Sequence, residues 1–114
     1  MTPRLERERV DDILSAIATI RDHRRAAADA GIAEDTELVL DAVVRQLAVI
    51  GEAATHLSEE LMERHPSIPW RGVKGMRLLL DHEYHRVNAE IVWETVEVDL
   101  PPLERALTAE QPRG

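Results

Sequence analysis

The sequence predicts an all-α fold, an up-and-down bundle of four main helices with a short C-terminal helix. The chain of 114 residues is 44% hydrophobic but only 3% aromatic and has no Phe, a balance that favours helices over sheets. Apolar residues recur at helical spacing, and Pro and Gly lie between the periodic segments, where they can separate one helix from the next. We expect one domain over residues 1–107 and a frayed tail over 108–114.

The first two helices are predicted from their start and stop residues. Pro3 suits a first helical position, and Gly31 stops the helix after about residue 30. Asp35 and Thr36 are candidate N-caps of a second long helix. The apolar residues at helical spacing in the second helix are Val39, Leu40, Val43, Leu47, Ile50, Ala54 and Leu57.

Gly51 bears on how the second helix packs, and Ser58 predicts the start of a third helix. An interior Gly costs about 1 kcal/mol relative to Ala, so Gly51 indicates either a close helix approach, including one across a subunit boundary, or a tolerated glycine. Ser58, followed by two glutamates, can cap a short third helix that Pro66 ends.

The second half of the chain is more interrupted. Residues 66–70 contain two prolines and are expected to form a bent, extended connector. A fourth helix should begin near residues 70–75 and continue to about Tyr84, and Asn88 could cap a fifth segment. The run DLPPL at 99–103 predicts a break and a restart for a short last helix to about Leu107.

Composition also narrows the classes of protein. Without cysteine there is no disulfide and no thiolate metal site. The charged start lacks the apolar core of a signal peptide, and no stretch approaches the roughly 18 apolar residues of a spanning helix, so we expect a cytoplasmic protein without membrane contact. The net charge of −8 argues against a protein that coats nucleic acid with its whole surface.

Charge is unevenly distributed along the chain. Residues 64–86 hold five basic residues against two acidic ones, a local charge of +3, although a chance mixture of surface charges would give the same count. Within this basic segment, Arg77, His82 and Tyr84 form the pattern R-x-x-x-x-H-x-Y. An Arg fork matches phosphate oxygens and His exchanges protons near neutral pH, so the pair suits phosphodiester cleavage. The alternative is a surface Arg and a partly buried His.

RNA cleavage is the simplest chemistry for such a pair. RNA supplies its own nucleophile in the 2′-OH, so a proton carrier and a cation for the charge on phosphorus suffice without a metal. On a straight helix, however, Arg77 and His82 lie about 140° apart around the axis. Either the helix bends between them or the site is completed across a two-fold axis.

Five stretches of the chain carry a resemblance to a known family. They are RQLAVIGEA at 45–53, PWRGVKGMR at 69–77, HEY at 82–84, IVWE at 91–94 and DLPPL at 99–103. In order and spacing the chain resembles the HepT-type toxins of the HEPN superfamily over roughly residues 10–107. That resemblance implies a HEPN-like helical-bundle endoribonuclease that cuts RNA without metal. It also implies a homodimer in which the motif Arg and His of two protomers face one another in an interface cleft.

The resemblance further implies a partner and a modification. The partner is an MNT-type nucleotidyltransferase antitoxin of a type VII-like toxin–antitoxin system, with which the dimer could form a larger hetero-oligomer. The antitoxin uses ATP and Mg²⁺ to attach AMP to the motif tyrosine, here Tyr84, while RNA cleavage itself needs no cofactor. The added phosphate charge and bulk would repel and obstruct RNA.

Roles follow residue by residue from the same resemblance. Arg77 would bind and stabilise the scissile phosphate, His82 would be the general acid or base, and Tyr84 would accept AMP. Auxiliary contacts to RNA phosphates are expected from three nearby basic residues: Lys74, His85 and Arg86.

One position departs from the family pattern. Members commonly have a polar residue, often Asn, directly after the motif Arg, whereas this chain has Leu78. The alternative function is therefore a catalytically degenerate HEPN module that binds a nucleotidyltransferase or a nucleotide without cleaving RNA. Trp93 is expected in the core, and Glu52 with His56 lacks the Glu-x-x-His spacing of a carboxylate-bridged metal bundle.

Overall fold

A computed structural model describes residues 3–81 and 88–112. Over those residues every regular element is helical and there is no strand, which confirms the all-helical class. The elements are α1 (Pro3–Asp29), α2 (Glu37–Ala54), α3 (Glu59–Arg64), α4 (Trp70–Gly75), a 3₁₀ helix (Met76–Asp81), α5 (Ala89–Glu94), a π segment (Thr95–Asp99) and α6 (Leu100–Ala109).

Helix α1 ends at the glycine that the sequence singled out. Gly31 has φ +70°, a left-handed conformation that an L side chain rarely adopts. The amide of Ile32 donates to the carbonyl of Ala27 at 2.8 Å, and the amide of Gly31 donates to that of Ala28 at 3.1 Å. These two bonds form a Schellman motif, so the last carbonyls of α1 are satisfied as the chain turns.

The predicted N-caps of α2 and α3 are confirmed. The Thr36 hydroxyl accepts a hydrogen bond from the Val39 amide at 3.4 Å, and the Ser58 hydroxyl accepts one from the Leu61 amide at 3.1 Å. Helix α2 ends at Ala54, so Leu57 lies in the following turn and not inside the helix, although it is still buried. Local side-chain chemistry therefore sets both starts.

Three helical layers share one core. Helices α1 and α2 run antiparallel, and the run from α5 through α6 packs back along α1, with Arg21 and Glu104 joined by two 2.8 Å hydrogen bonds. The largest fully buried side chains are Ile13, Ile17, Ile20, Leu40, Leu47, Ile50, Leu61, Leu100, Leu103 and Leu107. None of the helices in the described ranges is long and apolar enough to cross a membrane.

The predicted fourth helix begins at Trp70, as expected, but it does not remain α-helical. The connector after α3 forms a turn, in which the Ile68 amide donates to the His65 carbonyl at 3.2 Å. Helix α4 then lasts six residues and tightens into the 3₁₀ helix at Met76. This change occurs where the chain meets the backbone of α2 at Gly51, so tertiary contact determines it.

The predicted restart is confirmed, because α6 begins at Leu100 with both prolines in its first turn, but the predicted break at 99–103 was wrong. The chain stays helical from Ala89 to Ala109, and the amide of Leu100 donates to the carbonyl of Thr95, five residues earlier. This wider π turn directly precedes Pro101 and Pro102. A proline ring clashes with the carbonyl four residues before it in an α-helix, and widening the helix relieves that clash.

Trp93 anchors the start of this run in the core, as predicted. Its side chain is 7% exposed, and its indole N–H donates to the Glu34 carbonyl at 2.9 Å. The Arg24 guanidinium lies 4.3 Å from the ring centroid and pairs with Glu34 and Glu97. These contacts join the end of α1, the following loop and the π segment.

Glu110, just after α6, closes the other end of the molecule. Its carboxylate contacts Arg64 and His65, each at 2.6 Å. The hydrogen bond from Arg64 lowers the pKa of Glu110 below its ordinary value of 4.5, burial opposes this, and the bond from His65 adds to the lowering. Helix α6 thus remains ordered to Ala109, two residues past its predicted end.

We expect the Glu110→Gln variant to be less stable than wild type at neutral pH, with the difference disappearing in acid. A carboxylate with a lowered folded pKa stabilises the protein fully above its unfolded pKa, and that stabilisation is lost as the pH falls through the folded value. Denaturant unfolding across a pH series measures this. Glu63→Gln, at an exposed α3 position without a described ion pair, is the control; a pH-independent difference for Glu110→Gln would contradict the expectation.

Candidate functional site

Gly51 is the contact that places Arg77. A Cβ built on Gly51 would lie 2.8 Å from the Met76 carbonyl carbon, 3.0 Å from the Arg77 Cα, and nearer still to the Arg77 nitrogen. All three are backbone atoms, so no side-chain rearrangement could make room. The close approach inferred from Gly51 is confirmed, and it occurs within one chain, between α2 and the 3₁₀ helix.

The 3₁₀ geometry determines which side chains of the helix Met76–Asp81 face α2. With three residues per turn, Arg77 and Leu80 lie on one face, and both line a cleft beside α2. Leu78 falls on another face and is 45% exposed. The residue that departs from the family pattern is therefore solvent-accessible and does not line this cleft.

The cleft has a volume of about 370 Å³ and three walls. Helix α1 supplies one wall, the second half of α2 supplies the floor, and the 3₁₀ helix supplies the third side. Its lining residues are Arg9, Asp12, Arg45, Ala48, Val49, Glu52, Ala53, Arg77 and Leu80. We call this space the arginine cleft.

Three cations meet in the arginine cleft. Arg9, Arg45 and Arg77 come from three different elements, and none of them forms a hydrogen bond or an ion pair within the described residues. Of the two carboxylates in the lining, Glu52 bonds to His56 at 3.1 Å. The cleft therefore presents guanidinium donors that no described side chain occupies.

Of the six site residues predicted from the sequence, the structure describes two, and only one of these lines the arginine cleft. Arg77 lines the arginine cleft, whereas Lys74 is half-buried on α4 and does not. Arg64, counted in the basic segment, pairs with Glu110. The other four predicted residues fall outside the described residues: His82, Tyr84, His85 and Arg86.

Sequence reasoning missed Arg9 as a site residue and gave Arg45 no role. The spacing of Arg45, Val49 and Glu52 does place them on one face of a helix, which was a usable signal. Arg9 left no comparable signal, because its position depends on how α1 and α2 align. The two helices align through their shared core, and the Glu6 carboxylate also accepts a 2.5 Å hydrogen bond from the Ser58 amide.

Comparison with known proteins identifies the family of the chain. Residues 13–110 match the family described as ribonuclease HepT-like, a range that includes Arg45, Gly51 and Arg77. This chain belongs to the HepT-like ribonuclease family.

Curated relatives of this HepT-like chain carry ribonuclease names. A protein of Thermococcus cleftensis, named as a ribonuclease HepT, is 34% identical over 101 residues, which is 89% of this chain and 91% of the relative. A protein of Caldanaerobacter subterraneus subsp. tengcongensis, named as an RNase, is 47% identical over 64 residues, 56% of this chain and 57% of the relative. The chain thus spans little more than half of the Caldanaerobacter protein. No solved structure matches the chain significantly.

Metal-ligating side chains do not gather in the parts of this HepT-like chain that the structure describes. Residues 3–81 and 88–112 contain no group of three or more His, Asp or Glu side chains arranged to hold a metal ion. Glu52 and His56 form a two-residue pair at the rim of the arginine cleft.

We expect Gly51→Ala to destabilise this HepT-like protein by roughly 1–3 kcal/mol, the usual cost of overpacking. The added methyl group would push the 3₁₀ helix away from α2, so the amides of residues 76–81 should exchange hydrogen faster than in wild type. Gly75→Ala is the matched control, because a Cβ there meets nothing within 4 Å. Equal stability and equal exchange in the two variants would contradict the role assigned to Gly51.

Proposed function

We propose that this chain is a metal-independent endoribonuclease in which Arg77 holds the scissile phosphate and His82 transfers protons. The position of Arg77 is the observation that supports this most directly. Its backbone is fixed against Gly51, while its side chain is exposed, unpaired within the described residues and directed to a cleft with two further arginines. Family membership and the ribonuclease names of the relatives point the same way.

The proposed chemistry uses only groups of the protein and of RNA. The 2′-oxygen of the ribose attacks the neighbouring phosphorus while a base takes its proton, and the bond to the 5′-oxygen breaks as that oxygen gains a proton. The products are a cyclic phosphate and a free 5′-OH. Arg77 stabilises the charge that develops on the phosphoryl oxygens, and His82 acts as the base or the acid.

A homodimer is the second part of the proposal. On one helical segment, residues five apart do not share a face, and the 3₁₀ helix that begins at Met76 leaves Arg77 and Leu80 on the cleft side. Exposed apolar side chains lie on both faces of the 3₁₀ helix near Arg77: Val49 (41% exposed) and Leu80 (50%) line the cleft, and Leu78 (45%) lies on the other face. A second protomer seated against this surface would bury them and bring its His82 to Arg77.

We expect the purified protein to cleave RNA in the presence of a chelator, and both Arg77→Ala and His82→Ala to lose at least about 10²-fold in rate. Gel analysis of a labelled RNA pool measures this. Arg71→Ala, an exposed arginine of the same basic segment outside the arginine cleft, and His23→Ala serve as controls. Undiminished cleavage in either site variant would remove that residue from the mechanism.

Mixing the two inactive variants tests the shared site. If Arg77 of one protomer works with His82 of the other, a heterodimer of Arg77→Ala and His82→Ala contains one intact site, so mixing and reassembly should restore part of the activity. If both residues act within one protomer, every site in the mixture lacks one of them. No recovery, with heterodimers confirmed by mass spectrometry, would therefore rule out the shared site.

Inhibition by a nucleotidyltransferase antitoxin is the third part of the proposal. The partner would use ATP and Mg²⁺ to transfer AMP to the hydroxyl of Tyr84, releasing pyrophosphate. Because Tyr84 is seven residues from Arg77, the new phosphate would add negative charge and bulk close to the RNA-binding side chains. RNA would then be both repelled and obstructed.

Co-expression with a nucleotidyltransferase antitoxin should add one or more AMP-sized increments to the intact mass, and Tyr84→Phe should lose the increment. The unmodified Tyr84→Phe protein should also keep its RNA cleavage in the presence of the partner. An unchanged wild-type mass beside an active partner would contradict the modification. Partner binding without any RNA cleavage by the unmodified protein would select the degenerate binding module instead.

A further inference from the structure

We propose that Arg9 and Arg45 bind the backbone phosphates next to the scissile one, so that a single RNA strand lies along the arginine cleft. This inference rests on the proposed ribonuclease function and gives the cleft a role beyond holding one phosphate. Arg9 and Arg45 are thereby positioning residues, since they touch the strand away from the reacting atoms.

Arg9 lies close to a buried contact of α1. Glu6 is 9% exposed, and its carboxylate accepts a hydrogen bond from the backbone amide of Ser58, just beyond α2. This bond ties the first turns of α1 to the chain that follows α2. Arg9 lies three residues after Glu6, in the adjoining turn of α1, and lines the same cleft as Arg45.

The charge in the cleft favours an anion. Three arginines against Asp12 and Glu52 leave the lining at +1 within a chain of −8. By contrast, Arg21 and Arg24 are each held by a carboxylate at 2.8 Å. The three arginines of the cleft carry like charges that no described carboxylate pairs with, and a bound anion would reduce their repulsion.

The shape of the cleft favours a repeating anion over a single one. The guanidinium groups come from α1, α2 and the 3₁₀ helix, around an open space of about 370 Å³. Each planar fork can bind two oxygens of one phosphodiester, so three forks on different walls suit successive phosphates of one strand.

Such contacts position RNA without reading its sequence. Bonds to phosphate oxygens are the same at every nucleotide, so loss of Arg9 or Arg45 should weaken binding equally for different sequences. The competing explanation is that both arginines merely balance Asp12 and Glu52 as hydrated surface charges. In that case RNA binding would not depend on them.

The experiment measures RNA binding separately from cleavage. The probe is a fluorescently labelled, fully 2′-O-methylated oligoribonucleotide of mixed sequence, which lacks the attacking hydroxyl, and its anisotropy is recorded between about 50 and 200 mM salt. The variants are Arg9→Gln, Arg45→Gln and the double substitution. Arg7→Gln and Arg105→Gln are matched controls, because both side chains are exposed and neither lines the arginine cleft.

We expect each single variant to bind the probe roughly threefold to tenfold more weakly than wild type, and the salt slope to fall by about 0.7 for each phosphate contact removed. The double variant should lose about twice that slope, while both controls keep the wild-type values. On unmethylated RNA the single variants should raise KM more than they lower kcat.

Two results would overturn the inference, and only the second would also overturn the ribonuclease proposal. Suppose that wild type binds and cleaves RNA, and that the single and double variants keep its affinity and salt slope. Then the proposed phosphate contacts of Arg9 and Arg45 are wrong, and the ribonuclease proposal stands. If wild type neither binds the probe nor cleaves RNA, both proposals are wrong. Thermal unfolding of each variant shows whether weaker binding results from unfolding. A variant that is folded and still binds weakly supports the proposed phosphate contacts.

Discussion

The backbone of α2 touches the backbone of the 3₁₀ helix at Gly51, and the rest of the site depends on that contact. Any side chain at position 51 would occupy the space of the Met76 carbonyl and the Arg77 main chain. The glycine costs about 1 kcal/mol of helix propensity. Burial of Val73 and Met76 against α2 offsets that cost, and it holds the main chain of Arg77 while its side chain stays in solvent.

The basic residues that cluster in the sequence are not the ones that cluster in the folded protein. Arg64 belongs to the most basic segment of the sequence, yet it pairs with Glu110, 46 residues later in the chain. Arg9 belongs to an N-terminal stretch of mixed charge, yet it shares a cleft with Arg77. An acidic protein can therefore present a small cationic surface, with the surrounding negative charge limiting where polyanions bind.

The features predicted correctly were those with local causes. Gly31, Thr36 and Ser58 act through hydrogen bonds within a few residues of themselves, and a single sequence records such bonds well. Gly51 indicated either a close approach or a tolerated glycine, and the structure shows the close approach. Its partner could not be named, since that depends on two segments about 25 residues apart in sequence.

The features missed or predicted wrongly had tertiary causes. The change to a 3₁₀ helix at Met76 occurs where the chain contacts α2, and Arg9 enters the cleft because α1 packs against α2. The proline pair after Asp99 favoured a break on local grounds. Burial of Trp93, Leu100 and Leu103 in one core instead keeps the helix continuous through the prolines.

The π segment has a consequence for how chains of this kind can vary in length. A π turn is an α-helical turn with one residue added, and here it stands directly before Pro101 and Pro102. Deleting one residue from 95–99 would restore α-helical spacing and place the Pro101 ring against a carbonyl one turn back. Related chains that lack the extra residue should therefore also lack the prolines, so that the insertion and the proline pair are gained and lost together.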